Sequence, residues 1–262
     1  MKTTPAASMW CTFNTAPDLL VVNYRAMLNE VPLYYEKLGK KGTKLTVILA
    51  QYLTGVNTSV DCLIDQAGHV FTTPVVDVLT GKDVGLDDFH HFARIVPSQV
   101  SAPDQEALRQ RAIAGVQALD MTTSAAHVEF IGSRLGEIAA RPGGNRPHIL
   151  NLAYGLDEIH ALYQILMGQT PDLSTQRRDS AAVVTPFSGK TGRLCTIRHL
   201  DRITELPTYL FHEVRIQSGQ PVGLARSGYR APLYIELFST DEHAVRRDVD
   251  RIASWTDLYE VE

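Results

Sequence analysis

Two glutamates, Glu129 and Glu137, flank the short segment Gly132-Ser133-Arg134. A three-residue hairpin loop there makes the pairing symmetric about Ser133 and sets Glu129 opposite Glu137. Side chains alternate between the faces of a strand, so His127 and Arg141 share the carboxylates' face. Val128, Phe130, Ile138 and Ala140 point the other way, toward a core, while Ile131 and Leu135 fall on the polar face. Directly opposed residues have Cβ atoms about 4.5–5.5 Å apart, where like charges repel. A proton or a cation between the two carboxylates relieves that repulsion. Oxygen-only donors favour Mg2+ or Ca2+ over zinc, and Mg2+ completes its shell with water and substrate phosphates. The pattern therefore points toward nucleotide phosphates. The competing reading is two solvated glutamates on an exposed sheet face, with Arg141 an incidental neighbour. The adjoining Arg141-Pro142-Gly143-Gly144 weighs against it, because paired glycines after a strand allow close backbone approach and loops at strand ends are where ligands bind.

The surrounding elements read as α+β. Met9–Phe13 and Leu45–Ala50 are strand-like, the latter apolar enough to be buried on both faces. Leu19–Leu38 is amphipathic but interrupted by Pro32. Ser59–Ile64 and His69–Leu79 flank Asp65-Gln66-Ala67-Gly68, a hairpin signature. A helix begins at Pro103 with Leu108, Ala112, Val116 and Leu119 on one face. Another runs from about Ile149 to Met167 and stops at Gly168. From Ala181, strands Ala181–Phe187, Tyr209–Gln217 and Leu233–Phe238 alternate with Asp201–Leu206 and a helix Glu242–Trp255, as in a small separate lobe.

The 262 residues carry 44% hydrophobic and 21% charged side chains, the balance of a folded chain rather than a disordered one. A net charge of −4 gives no electrostatic footprint for nucleic acid. No apolar run reaches the roughly 18 residues of a membrane span, and no secretory signal is visible. Cys11, Cys62 and Cys195 fit neither a zinc spacing nor a disulfide framework, so a reducing cytoplasm is expected.

His-x-Glu, a hairpin, then Glu-Ile-x-x-Arg-x-Gly-Gly (His127 to Gly144) resembles the closing motif of the ATP-grasp superfamily. The resemblance is to carboxylate–amine ligases of the carbamoyl-phosphate synthase and L-amino-acid ligase type. Ala153–Asp157 and Met167–Leu173 resemble the helix and exit that follow that motif, and Leu49–Gly55 resembles the hinge strand that cradles adenine. The implied organisation is a partial small subdomain (1–50), a large subdomain with the metal-binding hairpin (51–173) and a C-terminal α+β lobe (180–262). By that resemblance Glu129 and Glu137 ligate Mg2+, with Mn2+ an alternative, on the phosphates of ATP. Arg141 holds phosphate or the acyl phosphate as the catalytic residue, and Gly143-Gly144 lets backbone approach the substrate. Lys2 contacts phosphate, and Ala50, Gln51, Tyr52 and Leu53 line the adenine site.

The chain departs from the family pattern at three positions. Ala50 and Asn57 stand where relatives often carry glutamate, and Ala139 stands where many carry the asparagine that holds a second cation. The substrates implied are a small-molecule carboxylate and an amine. The N-terminal lobe of the family is absent ahead of Lys2. This is expected of a fragment or truncated reading frame, or of a chain that gains the lobe from a partner or from a homo-oligomer. A degenerate, non-catalytic domain that binds nucleotide weakly or serves as an interaction module is the alternative function.

Four other features read as structural. Ser188-Gly189-Lys190-Thr191 lacks the first glycine of a phosphate-binding loop and reads as a turn. His90-His91 reads as a surface loop, with substrate selection the alternative. Asp157, Glu158 and His160 read as a solvated helix face. Arg226, Tyr229 and Arg230 read as solvent-facing residues of a glycine-rich loop, with closure over a substrate carboxylate as the alternative.

Overall fold

The computed structural model describes residues 53–176, 178–225 and 229–262. The chain divides after Leu53 into two units, Met1–Leu53 and Thr54–Glu262. The elements below belong to the second. The expected strands Met9–Phe13 and Leu45–Ala50 and the stretch from Leu19 lie outside the described residues.

The hairpin signature holds. Strand β1 (Asn57–Ile64) meets β2 (Val70–Thr72) with Ile64 opposite Val70. Gly68, at φ 84°, closes the turn by donating its N–H to the Asp65 carbonyl. The chain continues through β3 (Val76–Thr80), β4 (His91–Val96), α1 (Ala102–Ala118), β5 (Ser124–Ile131) and β6 (Arg134–Ala139). Helices α2 (Arg146–Tyr154) and α3 (Glu158–Leu166) follow, then β7 (Ser180–Val184) and β8 (Gly192–Ile197). The remainder is α4 (Leu200–Thr204), β9 (Tyr209–Val214), β10 (Pro221–Val222), β11 (Leu233–Ser239), α5 (Glu242–Ala253) and β12 (Tyr259–Val261). The single helix expected over Ile149–Met167 is two, because Gly155 takes a left-handed φ of 70° and caps the first.

Nine strands form one antiparallel sheet in the order β6-β5-β1-β3-β4-β7-β11-β9, with β2 also on β1. The class is α+β, as expected. The region from residue 180 onward is not a detached lobe, however: β7 pairs with β4 and β11 with β7, so its strands complete the central sheet. Strands β10, β8 and β12 make a separate three-stranded sheet.

Pairing register assigns the faces. On one, Val60, Cys62, Ile64, Ala126, Val128 and Phe130 pack under Leu108, Ala112 and Val116 of α1. Further along the same face, Ile95, Ala182 and Ile235 pack under Val245 and Val249 of α5. The other face carries α2 over Val76, Ala181 and Val183, and α3 over Leu63 and Ala125. Between those two helices, this second face presents the polar side chains of β1 and β5.

Helix α1 starts where expected. Ser101 accepts the Asp104 N–H as N-cap, and Pro103 lies in the first turn. Leu119 falls past its end and is 58% exposed, rather than on the packed face. Gly115 is the contact point with the hairpin: a Cβ there would lie 2.8 Å from Leu135 Cδ1 and 2.9 Å from Ile138 Cδ1. Gly115→Val is expected to destabilise the chain by about 1–3 kcal/mol through overpacking, read as a lower midpoint in urea denaturation; an unchanged midpoint would show that the hairpin does not bear on α1.

Candidate active site

Glu129 and Glu137 are directly paired across β5 and β6. The path to that pairing differs from the expectation. The turn has two residues, Gly132-Ser133, so Ile131 faces Arg134 and Phe130 faces Leu135. Gly136 is then an extra residue, a β-bulge, and the register it restores brings Glu129 to Glu137 and His127 to Ala139. The bulge turns Leu135 onto the face of Phe130 and toward α1, whereas the sequence reading put it on the polar face. Glu129 is partly buried and Glu137 is exposed.

His127 decides the charge of Glu129. It is buried, with Nδ1 2.5 Å from Asp61 Oδ1 and Nε2 2.9 Å from Glu129 Oε1. A ring whose two nitrogens both meet carboxylates donates from both, which makes it an imidazolium. Burial opposes that charge, but the hydrogen bonds to Asp61 and Glu129 outweigh it and raise His127 above the usual histidine range. Burial likewise works against an ionised Glu129. The His127 hydrogen bond, with His91, His127 and Arg146 nearby, overrides it and lowers the carboxyl to about 2.

Asp61 was not singled out in the sequence. Its one signal was a carboxylate inside the otherwise apolar stretch Val60–Ile64 of β1. Oδ2 accepts the Gly143 N–H at 2.6 Å, and Asp61 donates its own N–H to Thr73 Oγ1. Gly143 has no room for a side chain: a Cβ would come within 2.6 Å of His127 Nδ1 and 2.9 Å of Asp61 Oδ1. The first glycine of the pair is therefore required by Asp61 and His127, while nothing lies within 4 Å of a Cβ on Gly144.

Glu158, read as part of a solvated face, is fully buried, and neither of its oxygens has a hydrogen-bond partner among the described residues. Burial first, and then the charge of Asp61, raise its pKa to about 9, so it is a neutral carboxyl at pH 7. Its neighbours Asp157 and His160 are exposed as expected, with Asp157 capping α3.

An arginine and a neutral histidine also approach Glu129 Oε1. Arg146 is buried at the start of α2, donating to Ser59 Oγ (3.1 Å) and the Gly144 carbonyl (2.9 Å), with Nη2 3.9 Å from Glu129 Oε1. His91 belongs to β4 rather than a surface loop. A bulge at Phe92, between the pairs Leu79–Ala93 and Thr80–His91, turns it onto the polar face. Its Nε2 reaches 3.7 Å from Glu129 Oε1 and its Nδ1 lies 3.4 Å from Arg146 Nη2. Burial, Arg94 and Arg146 lower its pKa to about 3, so the ring is neutral, with Nδ1 accepting from Arg146. His90 is also packed rather than exposed, stacking on Phe187 at 4.3 Å.

The structure describes only some of the remaining expected residues. Arg141 is exposed, and its Nη1 donates to the Pro142 carbonyl. Asn57 is opposite both Ile131 and Val78, on the same sheet face as Glu129. Leu53, partly buried, ends the first unit. Lys2, Ala50, Gln51, Tyr52 and Arg226 lie outside the described residues. Ser188 Oγ donates to the Lys190 carbonyl and accepts the Lys190 N–H, a local turn as expected. Among the described residues, no group of three or more His, Cys, Asp or Glu side chains could hold a metal by itself. The oxygen pair Glu129–Glu137 suits a divalent ion that draws its other ligands from water and phosphate. No described helix is long and apolar enough to cross a membrane.

Comparison with solved structures decides the fold. The L-amino acid ligase from Bacillus licheniformis superposes with a TM-score of 0.71 at 15% identity, over 94% of this chain and 61% of that one. The chain has the ATP-grasp fold. N5-carboxyaminoimidazole ribonucleotide synthetase from Thermotoga maritima matches with a TM-score of 0.58 at 16% identity, over 82% of this chain and 56% of that one. Carboxyaminoimidazole ribonucleotide synthase from Aspergillus clavatus, solved with ATP, gives 0.57 at 16% identity, over 78% and 51%. The chain thus spans between about half and three-fifths of these proteins' lengths. No protein-family model matches the chain. No curated protein sequence matches it.

The burial of Glu158 beside Asp61 has a measurable consequence. A group whose folded pKa is raised contributes stability that is complete below its unfolded value and is lost as pH rises toward the folded one. For Glu158 that window runs from the ordinary 4.5 to about 9. Glu158→Gln, which carries no titrating carboxyl, is expected to gain on the parent chain steadily across that window in urea denaturation. Parallel pH profiles for the two proteins would contradict the buried neutral carboxyl.

Proposed function

We propose that this chain carries the metal- and phosphate-binding part of an ATP-dependent carboxylate–amine ligase, of amino-acid or peptide type, that works through an acyl phosphate. The observation that carries the reading is the pairing of Glu129 with Glu137 across a two-residue turn, beside a buried imidazolium that keeps Glu129 ionised. Glu129 and Glu137 would hold Mg2+, or Mn2+, which when bound neutralises charge on the phosphates of ATP.

The chain's own residues do the positioning. His127 fixes one oxygen of Glu129 at 2.9 Å and leaves the other for the ion. Arg146 and His91 supply N–H groups beside that carboxylate. Arg141 stands at the exposed end of β6, where it would meet the transferred phosphoryl group. A carboxylate oxygen attacks the γ-phosphorus and ADP leaves. An amine nitrogen then attacks the acyl carbon, phosphate leaves and the nitrogen loses a proton. Lys2 and residues 50–53 would complete the nucleotide site. Supply of further elements by a partner chain or second copy, and a cytoplasmic location, are part of the same reading.

A second reading, a nucleotide-binding module without catalysis, has one observation in its favour. Ala139, opposite His127, offers no oxygen where the family pattern has asparagine. Thermal shift separates the two from a chance likeness. ATP with Mg2+ is expected to stabilise the chain by more than the sum of each alone, and Glu129→Ala and the exposed Glu137→Gln should each abolish that excess. Phosphate release that depends on both an acid and an amine supports the ligase, stabilisation without turnover supports the module, and no response to ATP with Mg2+ contradicts both.

A further inference from the structure

Arg94 lies on the same sheet face as Glu129, and among the described residues its hydrogen-bonding capacity is not filled. Its Nη1 donates to Thr185 Oγ1 at 2.7 Å, and Thr185 donates onward to the His91 carbonyl at 2.8 Å, so the guanidinium is held in place. Its Nε is fully buried with no hydrogen-bond partner among the described residues. The acidic side chains around it are engaged elsewhere. Glu129 takes its hydrogen bond from His127, and Glu236 takes one from Tyr234 and lies 3.0 Å from His148. Burial, and then Arg146, lower the guanidinium pKa to about 9. A guanidinium N–H shut off from water without an acceptor is costly in a folded chain, and an oxyanion that reaches the group from outside removes the cost.

We propose that Arg94 binds one carboxylate of the acid substrate, and that this substrate is a dicarboxylic acid rather than an acid whose far end is an ammonium. The proposal rests on the ligase reading. Strands β1 and β3 separate β4, which carries Arg94, from β5, which carries Glu129. Three strand spacings amount to about 14 Å between backbones, the interval that a molecule with one carboxylate on Arg94 and the other at the glutamate pair would bridge. His91 and Arg146 fill the interval. An ammonium in place of the distal carboxylate would face Arg94 and Arg146 with like charge. The amine acceptor is under no such constraint, so an amino acid in that role fits the same site.

The test is calorimetric binding to the full chain with Mg2+ and the non-hydrolysable analogue AMP-PNP present, using succinate, butyrate and 4-aminobutyrate as probes of similar length. Succinate is expected to bind at least about tenfold more tightly than either other acid, the scale of one charge-assisted hydrogen bond. Arg94→Gln should bring succinate to the level of butyrate while AMP-PNP still binds. Arg94→Lys, which keeps the charge without the fork, covers the case of a Gln variant that does not fold: it should weaken succinate and retain its preference over 4-aminobutyrate. Equal binding of 4-aminobutyrate and succinate, or succinate affinity unchanged in both variants, overturns the proposal. So does loss of AMP-PNP with succinate retained, which would give Arg94 to a nucleotide phosphate. Absence of AMP-PNP binding by the parent chain, with Arg94-dependent succinate binding intact, sinks the ligase reading and leaves the acid site standing.

Discussion

A buried histidine held between two carboxylates is the constraint around which the rest of the site is arranged. His127 meets Asp61 on one side and Glu129 on the other, both in hydrogen-bonding range. Removing either partner of such a buried charge pair typically costs about 3–5 kcal/mol, because the survivor is left buried and uncompensated. The surroundings follow from that cost. Gly143 has no side chain because His127 and Asp61 occupy the space, and its N–H satisfies the second Asp61 oxygen. Arg146 enters at the start of α2 and places a further cation beside Glu129. Glu158 stays neutral because it is buried, with Asp61 beside it.

The sheet delivers these groups through two local irregularities. An extra residue at Gly136 corrects a register that the tight turn would otherwise leave one residue out, and an extra residue at Phe92 turns His91 toward Glu129. Bulges of this kind re-aim side chains at the expense of ladder hydrogen bonds. Here both lie within two residues of a group that borders the carboxylate pair. On the reverse face the same strands are ordinary: α1 covers Val60, Cys62, Ile64, Val128 and Phe130 with an apolar stripe. One face supplies the stability and the other carries the charges.

What the sequence made legible follows from the range of each interaction. The hairpin at Asp65–Gly68 and the α1 stripe up to Val116 are local patterns readable from spacing. The glutamate pairing was expected through a three-residue loop and is reached through a two-residue turn and a bulge. Leu135 was misplaced because a bulge leaves no trace in hydrophobic alternation. Asp61, Glu158 and Arg94 were missed because their meaning comes from partners far along the chain: Asp61 bonds His127 and Gly143, and Arg94 bonds Thr185. The region from residue 180 looked like a lobe of its own because its pairing with β4 is a long-range contact that composition does not encode.

The protonation state of His127 tests the central interaction directly. With the histidine ring nitrogens labelled with nitrogen-15, the chemical shifts at neutral pH are expected to show both nitrogens of His127 carrying hydrogen, in a ring that titrates above the usual histidine range. A shift typical of a bare imine nitrogen at either position would mean a neutral ring. Asp61 and Glu129 would then not be joined through a shared cation, and the account of how Glu129 is kept ionised for a metal would fail.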